Sequence, residues 1–326
     1  MSAGGSGDMT QPVARFEDLV ITYPSARGSL KAVDGVTLEV VKGEFLGLVG
    51  ESGCGKTTLA LTLLRMNEPG KVTGGSVKVE GIDLLSLDAD ALRRFRWEKV
   101  AMVFQAAMNT LDPVKTVESQ IVETIVQHSQ ETKEQARAKV QGLLELVSID
   151  PARAKSYPHE LSGGMRQRVV IALALCLSPD ILIADEPTTA LDVVVQAGVM
   201  RTLKALQAKL GVTTILITHD ISIMNGTADR LAIMYAGKIV EVGPTQQVIA
   251  DPQHPYTQAL LGAVPAIGSG TTVVKGIPGS PPDLISPPAG CRFAPRCPYA
   301  FDRCTKEEPP LVGDGKDMVA CWLRTK

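Results

Sequence analysis

The chain has 326 residues, with 33 Lys and Arg against 35 Asp and Glu, so its formal net charge at pH 7 is −2. This balance predicts no general attraction to nucleic acid or acidic lipid, and the length allows one large domain plus an appendage. No apolar run approaches the roughly 20 residues of a membrane-spanning helix. Residues 1–11 are small and polar, without the features of a secretion signal, and predict a disordered tail.

The first part of the chain is predicted to be mostly β, with strands around 13–20, 36–40, 45–49 and 76–80. Directly after the apolar run 45–49, all fixed positions of the GxxxxGK[ST] phosphate-binding loop are filled by Gly50-Glu51-Ser52-Gly53-Cys54-Gly55-Lys56-Thr57. The glycines let backbone N–H groups point inward, and the helix predicted to begin near Lys56 favours an anion. Lys56 can reach the β- and γ-phosphates, and the Thr57 hydroxyl can ligate Mg²⁺. The alternative is a glycine-rich turn without a ligand.

Residues 105–165 lose the strand pattern and become helical and polar, which predicts an inserted helical subdomain. At its end, Ser162, Gly163 and Gly164 precede the almost wholly apolar run 169–177. Their N–H groups form a second candidate anion site at a helix N-terminus. Simple helix capping is the alternative for Ser162.

The α/β pattern resumes with an apolar strand at 181–184 that ends in two acids, Asp185 and Glu186. Asp185 would hold the Mg²⁺ shell, and Glu186 could polarise a water that attacks the γ-phosphate. A second strand follows at 213–218, then a hairpin over 229–242 and a short helix at 245–250. For Asp185 and Glu186, the alternative is a strand that ends in acidic residues at a turn and has no role in catalysis.

Taken together, these motifs resemble the nucleotide-binding subunits of ABC transporters over about residues 12–250. The resemblance implies an α/β fold: a P-loop ABC ATPase core with an inserted helical subdomain and a small cysteine-containing C-terminal tail. It also implies that Ser162–Gly164 close over the ATP of an opposite subunit, in a head-to-tail pair.

The same resemblance implies roles for single residues. Tyr23 would stack on adenine, Gln105 would sense Mg²⁺ and the attacking water, and His219 would contact the γ-phosphate. The catalytic residues would be Lys56, Gln105, Glu186 and His219, and Mg²⁺ would be held by Thr57, Gln105 and Asp185. The residues implied to bind nucleotide are Tyr23, Gly50, Ser52, Gly53, Cys54, Gly55, Lys56, Thr57, Thr58, Gln105, Ser162, Gly163, Gly164, Asp185 and Asp192. Singly, Tyr23, Gln105 and His219 could each be structural.

The segment 106–113 is rich in Met, Leu and Pro, as in members that import peptides. The resemblance implies that it meets a short helix of the membrane subunit, and an ordinary loop is the alternative.

Residues 251–326 form the predicted C-terminal extension. Four of the six cysteines lie there within 31 residues, at Cys291, Cys297, Cys304 and Cys321, with five, six and sixteen residues between them. In a reducing cytosol such a cluster indicates a metal rather than two disulfides. The extension resembles that of dipeptide and oligopeptide importer ATPases, which implies a 4Fe–4S cluster. Zinc and unligated or oxidised cysteines remain alternatives.

The resemblance implies an ATP-hydrolysing subunit of a peptide importer, peripheral on the cytoplasmic face of the cell membrane. Its partners would be a second, paralogous ATPase subunit, two membrane permeases and an extracytoplasmic solute-binding protein, with no nucleic acid. Oligosaccharides or nickel chelates are alternative cargoes. A soluble ABC ATPase without a pore and a non-enzymatic regulatory subunit are alternative classes.

Overall fold

The structure is a computed structural model, and it describes residues 12–105, 110–189, 191–263, 276–315 and 317–324. The predicted disordered tail at 1–11 and most of the predicted membrane-subunit contact at 106–113 lie outside these residues. None of the helices in the described ranges combines the length and the apolar character that crossing a bilayer requires.

Strands and helices follow one another along the chain. The strands are β1 Pro12–Ser25, β2 Gly28–Val41, β3 Phe45–Val49, β4 Lys71–Val79, β5 Ile82–Asp83, β6 Val100–Val103, β7 Ile181–Asp185, β8 Thr213–Thr218, β9 Arg230–Tyr235, β10 Lys238–Pro244, β11 Val312–Gly313 and β12 Met318–Val319. The helices are α1 Lys56–Thr62, α2 Ala89–Glu98, α3 Val117–His128, α4 Lys133–Leu146, α5 Gly163–Leu175, α6 Val193–Leu210, α7 Thr245–Ala250, α8 Pro255–Gly262 and α9 Asp302–Lys306.

The chain divides into two compact units, and each is assembled from segments that are distant in sequence. Among described residues, the first unit contains 12–13, Val41–Phe45 and Ser86–Leu216. The second contains Ala14–Val40, Leu46–Leu85 and Ile217–Lys326. The domain boundaries expected at residues 12 and 251 stay predictions.

In the first unit, a buried parallel pair is covered by helices. β6 and β7 pair in parallel from Val100 opposite Ile181 to Val103 opposite Ala184, and all these residues are buried. Parallel strands that are covered on both faces carry unbroken apolar runs, which is why this part of β7 shows no polar alternation. Helices α3, α4 and α5 pack on one another, and α5 also packs on β6.

Polar side chains cap the helices of this unit. Thr116 caps α3, and Thr132 with Gln135 forms a capping box on α4. Gly211 ends α6 in the left-handed conformation at φ 68°. These local signals fix where α3 and α4 begin and where α6 ends.

The second unit contains an antiparallel sheet in the order β2-β1-β4-β5 and a further run of strands in the order β11-β12-β10-β9-β3. β3 pairs with β9 in parallel, with Leu46 opposite Arg230. The hairpin predicted at 229–242 is confirmed as β9 and β10, joined by Ala236 and Gly237 at positive φ angles. The short strands β11 and β12, which no periodicity in the sequence predicted, add the C-terminal extension to β10.

Candidate nucleotide site

The phosphate-binding loop lies in the second unit, between the buried strand β3 and helix α1. Two of its glycines are required by close backbone contacts. A Cβ atom at Gly50 would lie 2.0 Å from the Met234 carbonyl oxygen, and one at Gly55 would lie 2.2 Å from that of Ala32. Gly53 has open space around it but a φ of +79°, a conformation that other residues rarely adopt. The loop therefore needs glycine at these positions before any ligand is considered.

Lys56 is only 5% exposed, and its ammonium points back into the loop. The Nζ atom donates to the carbonyl oxygens of Gly50 at 2.7 Å and Glu51 at 2.9 Å. A buried lysine is tolerated when its charge is hydrogen-bonded in this way. Ser52, Gly53 and Thr57 remain exposed around it, and Thr58 is half-buried. The loop thus exposes two hydroxyl-bearing residues and one glycine to solvent, beside the buried ammonium of Lys56.

Three further residues that were predicted to bind nucleotide or to act in catalysis lie in the second unit. Tyr23 is half-buried, and its ring lies so close to Gly70 that a Cβ there would be 2.6 Å from the ring. Cys54 is buried, and burial raises the pKa of its thiol. His219 is exposed and follows directly on β8.

The first unit carries the predicted acids at the end of β7. Asp185 is the last residue of the strand and 4% exposed. Glu186 adopts a φ of 44°, the left-handed region that non-glycine residues rarely enter. Its Oε2 accepts hydrogen bonds from the Gln105 side chain at 3.1 Å and from the Thr189 hydroxyl at 3.2 Å. The structure therefore brings Gln105 and Glu186 together, 81 residues apart in the sequence.

Backbone strain at Glu186 supports a functional role for its carboxylate. A non-glycine residue in the left-handed region costs about 1–3 kcal/mol and persists where the surroundings hold it. Here two donors hold the side chain and β7 holds the backbone. Thr189, which sequence reasoning missed, is the second of these donors, and only its spacing of three residues from Glu186 could have indicated it.

The signature residues lie at the start of α5. Ser162 is the N-cap of α5, and its hydroxyl accepts a hydrogen bond from the Met165 N–H at 3.3 Å. Helix capping by Ser162 is therefore observed. The residue is also exposed, and its role in an anion site stays a prediction. Packing also explains why position 164 is a glycine. A Cβ there would lie 2.6 Å from Cγ1 of Val195 on α6. Asp192 caps α6 by accepting from the Val195 N–H at 2.9 Å.

The C-terminal extension is packed into the second unit rather than loosely attached. Phe293 is 1% exposed, and its ring contacts those of Tyr235 and Tyr256 at centroid distances of 5.3 and 5.4 Å. Arg292 pairs with Asp34 and also donates to the Ala236 carbonyl. The extension therefore shares the apolar core of β9 and β10.

The four cysteines of the extension line one cavity, together with Phe293 and Trp322. All six cysteines of the chain lie in described residues, and none of them forms a disulfide there. Burial raises the pKa of Cys291 to about 11 and also raises those of Cys297 and Cys321. In the described part of the chain, no group of three or more His, Cys, Asp or Glu side chains is arranged to hold a metal ion. The juxtaposition of the cysteines is observed, and their role as metal ligands stays a prediction.

Comparisons with known proteins show which family the chain resembles. The ABC transporter family matches residues 33–189, and the oligopeptide/dipeptide transporter C-terminal region matches residues 240–304. The dipeptide transport ATP-binding protein DppD of Bacillus subtilis is 43% identical over 319 residues, covering 96% of this chain and 95% of that protein. The oligopeptide transport ATP-binding protein OppD of the same organism is 43% identical over 314 residues, covering 94% and 87%.

Among solved structures, a dimeric ATP-binding cassette in a post-hydrolysis state, bound to ADP and Pi, superposes with a TM-score of 0.63 at 29% identity. The match covers 71% of this chain and 98% of that one. The predicted P-loop ABC ATPase fold is thereby confirmed. The chain belongs to the ABC transporter family, among the ATP-binding proteins that carry the oligopeptide/dipeptide transporter C-terminal region.

Proposed function

We propose that this chain is the ATP-binding and ATP-hydrolysing subunit of an ABC importer of dipeptides or oligopeptides. The observation that carries hydrolysis, as opposed to binding alone, is the Glu186 carboxylate, which Gln105 and Thr189 hold at the end of β7. Peptide as the cargo rests on the names of the relatives, DppD and OppD. Its place is the cytoplasmic face of the membrane, as a peripheral subunit.

In the reaction, Glu186 accepts a proton from water as the water oxygen attacks the γ-phosphorus and the bond to the leaving ADP oxygen breaks. Lys56 stabilises the charge on the β- and γ-phosphates, and His219 contacts the γ-phosphate. Tyr23 stacks on the adenine ring. Ser162, Gly163 and Gly164 bind the ATP of the opposite subunit.

The oxygen donors Thr57, Gln105 and Asp185 fit a hard cation such as Mg²⁺, which prefers oxygen ligands. Mg²⁺ bound there would neutralise negative charge on the phosphates. Asp185 is the last residue of β7 and directly precedes Glu186, so both acids lie at the same strand end.

We further propose that the working unit contains a second, paralogous ATPase subunit, two permeases and an extracytoplasmic solute-binding protein. The dimeric state of the matched cassette supports a pair of ATPase subunits. The other chains would then select the transported solute. A transport assay, rather than any residue of this chain, would therefore distinguish peptides from oligosaccharides or nickel chelates as the cargo.

The four extension cysteines are proposed to hold a 4Fe–4S cluster. The donor set fits, since four thiols line one cavity. Four thiolates are the ligand set usual for such a cluster, and zinc is the alternative metal for the same cysteines. The cluster would cross-link the four cysteines and so stabilise the fold of the extension.

The experiment is reconstitution of the chain with its permeases, partner ATPase and binding protein in vesicles. Peptide-stimulated phosphate release together with peptide uptake is expected. Phosphate release without membrane association would favour the soluble ABC ATPase, and ATP binding without any phosphate release would favour the regulatory subunit. Uptake of oligosaccharide or nickel chelate in place of peptide would overturn the cargo.

A further inference from the structure

The phosphate-binding loop is held by residues from the C-terminal extension. Arg296, in the short helical turn Ala294–Arg296, directly precedes Cys297. Its two terminal nitrogens bind the two carboxylate oxygens of Glu51 at 2.7 and 3.0 Å, which is a bidentate pair. Glu51 is the second residue of the loop and occupies one of its variable positions. The motif itself therefore gives no reason for this contact.

The Arg296 guanidinium is fully satisfied where it lies. Its side chain is 4% exposed. Besides Glu51, it donates to the Tyr235 hydroxyl at 3.1 Å and to the carbonyls of Pro278 at 2.8 Å and Ile277 at 3.3 Å. Arginine has five N–H donors, and these five acceptors use all of them. Such a network is a fixed anchor, unlike an exposed ion pair.

Glu51 is also held through its backbone. Its N–H donates to the Tyr256 hydroxyl at 2.8 Å, and Tyr256 lies on α8, in the extension. Its carbonyl accepts from Lys56 Nζ at 2.9 Å. A second anchor follows at Cys54, whose carbonyl accepts from the Gly237 N–H at 2.8 Å. Between the two anchors, Ser52 and Gly53 are the exposed residues of the loop.

Besides holding the loop in place, Arg296 compensates the negative charge of Glu51. A carboxylate in a loop that binds phosphate repels the ligand unless a cation compensates it. Arg296 provides that cation from a nearly buried position, where solvent screens the pair less than at the surface. Removing Arg296 would leave Glu51 as an uncompensated anion beside the phosphate site and would free the start of the loop.

We propose that Arg296 is a positioning residue of the phosphate-binding loop, which acts through Glu51 and makes the cysteine extension part of the ATP site. The inference rests on the proposed function in one respect, that the loop binds ATP. It concerns affinity for nucleotide and requires neither peptide transport nor a metal at the cysteines.

The test is a titration of ATP onto the full-length chain, giving both the dissociation constant and the number of sites. Arg296→Met is expected to raise the dissociation constant about tenfold or more with the number of sites unchanged, because an uncompensated charge is left at the loop. Arg296→Lys is expected to recover only part of the affinity, since lysine lacks the bidentate fork. Glu51→Gln in the Arg296→Met background is expected to restore part of the affinity by removing the repulsive charge.

Arg303 offers a matched control within the same extension. It pairs with Glu307 at 2.8 Å but is 51% exposed, and its guanidinium lies 3.5 Å from the centroid of the Trp322 ring. Arg303→Met is expected to perturb the extension without changing the dissociation constant by more than about twofold.

Four results would overturn the inference. The first is Arg296→Met with a wild-type dissociation constant. The second is an equal loss of affinity in Arg303→Met, which would indicate general loosening of the extension. The third is a fall only in the number of sites, which would indicate unfolding, and the fourth is no gain from adding Glu51→Gln. Failure of the proposed function is distinguishable, because then the wild-type chain would not bind ATP at all.

Discussion

Gln105 and Glu186 share a hydrogen bond of 3.1 Å at the end of β7, with the Gln105 amide donating and the Glu186 carboxylate accepting. Thr189 donates to the same carboxylate oxygen, so two donors fix the orientation of the carboxylate. A carboxylate oriented in this way is suited to take a proton from an attacking water.

Glu186→Gln should keep ATP binding and lose most turnover, because the amide cannot accept the proton. General-base catalysis contributes about 10²–10⁴-fold, so phosphate release should fall within that range. The trapped ATP should also stabilise a closed pair of ATPase subunits. The measurements are phosphate release and size-exclusion chromatography with ATP. Normal turnover in this variant would reject Glu186 as the base.

Lys56→Ala should abolish most nucleotide affinity. The ammonium would lose its contacts with the phosphates, and hydrogen bonds to charged groups contribute about 1.5–3 kcal/mol each, or roughly 10–150-fold in affinity. Equilibrium titration with ATP measures the change. Lys71→Ala, an exposed lysine at the start of β4, serves as the control and should bind normally. An unchanged dissociation constant in Lys56→Ala would contradict the phosphate-loop assignment.

Gly164→Ala should destabilise the first unit before any effect on ATP is considered. The added methyl group would lie 2.6 Å from Cγ1 of Val195, and overpacking of this kind costs about 1–3 kcal/mol. Thermal unfolding measures the loss. Val195→Ala removes the clashing methyl, so the double variant should regain much of the stability. No recovery in the double variant would show that the two side chains do not interact.

Replacing any one of the four extension cysteines by serine should lower bound iron and acid-labile sulfide in anaerobically purified protein. Wild type is expected to contain about four of each per chain, with a broad absorption band at roughly 400 nm. Cys176→Ser is the control, because this buried cysteine lies in the first unit, whereas the four extension cysteines lie in the second. Zinc in place of iron, or no metal, would reject the cluster and leave the ATPase assignment intact.

Much of the candidate site could be predicted because its motifs are short and local. The phosphate-binding loop lies between a strand and a helix that adjoin it in sequence, and β3, β8 and α7 begin and end where the pattern predicted. Strand ends were less predictable. β1 extends to Ser25 and β4 begins at Lys71, because pairing with a neighbouring strand continues beyond the apolar alternation that marks a strand in sequence.

By itself, the sequence determined that this chain is an ABC-type ATPase with an intact phosphate-binding loop, since each such motif is a contiguous run whose chemistry depends on local backbone geometry. Only the tertiary structure decided that Gln105 contacts Glu186 and that Arg296 holds Glu51 from 245 residues away. Such contacts depend on which side chains packing brings together, and no local spacing encodes them. The same reason explains why the extension, which the sequence presents as a cysteine-containing tail, is packed around Phe293 and bonded to the loop.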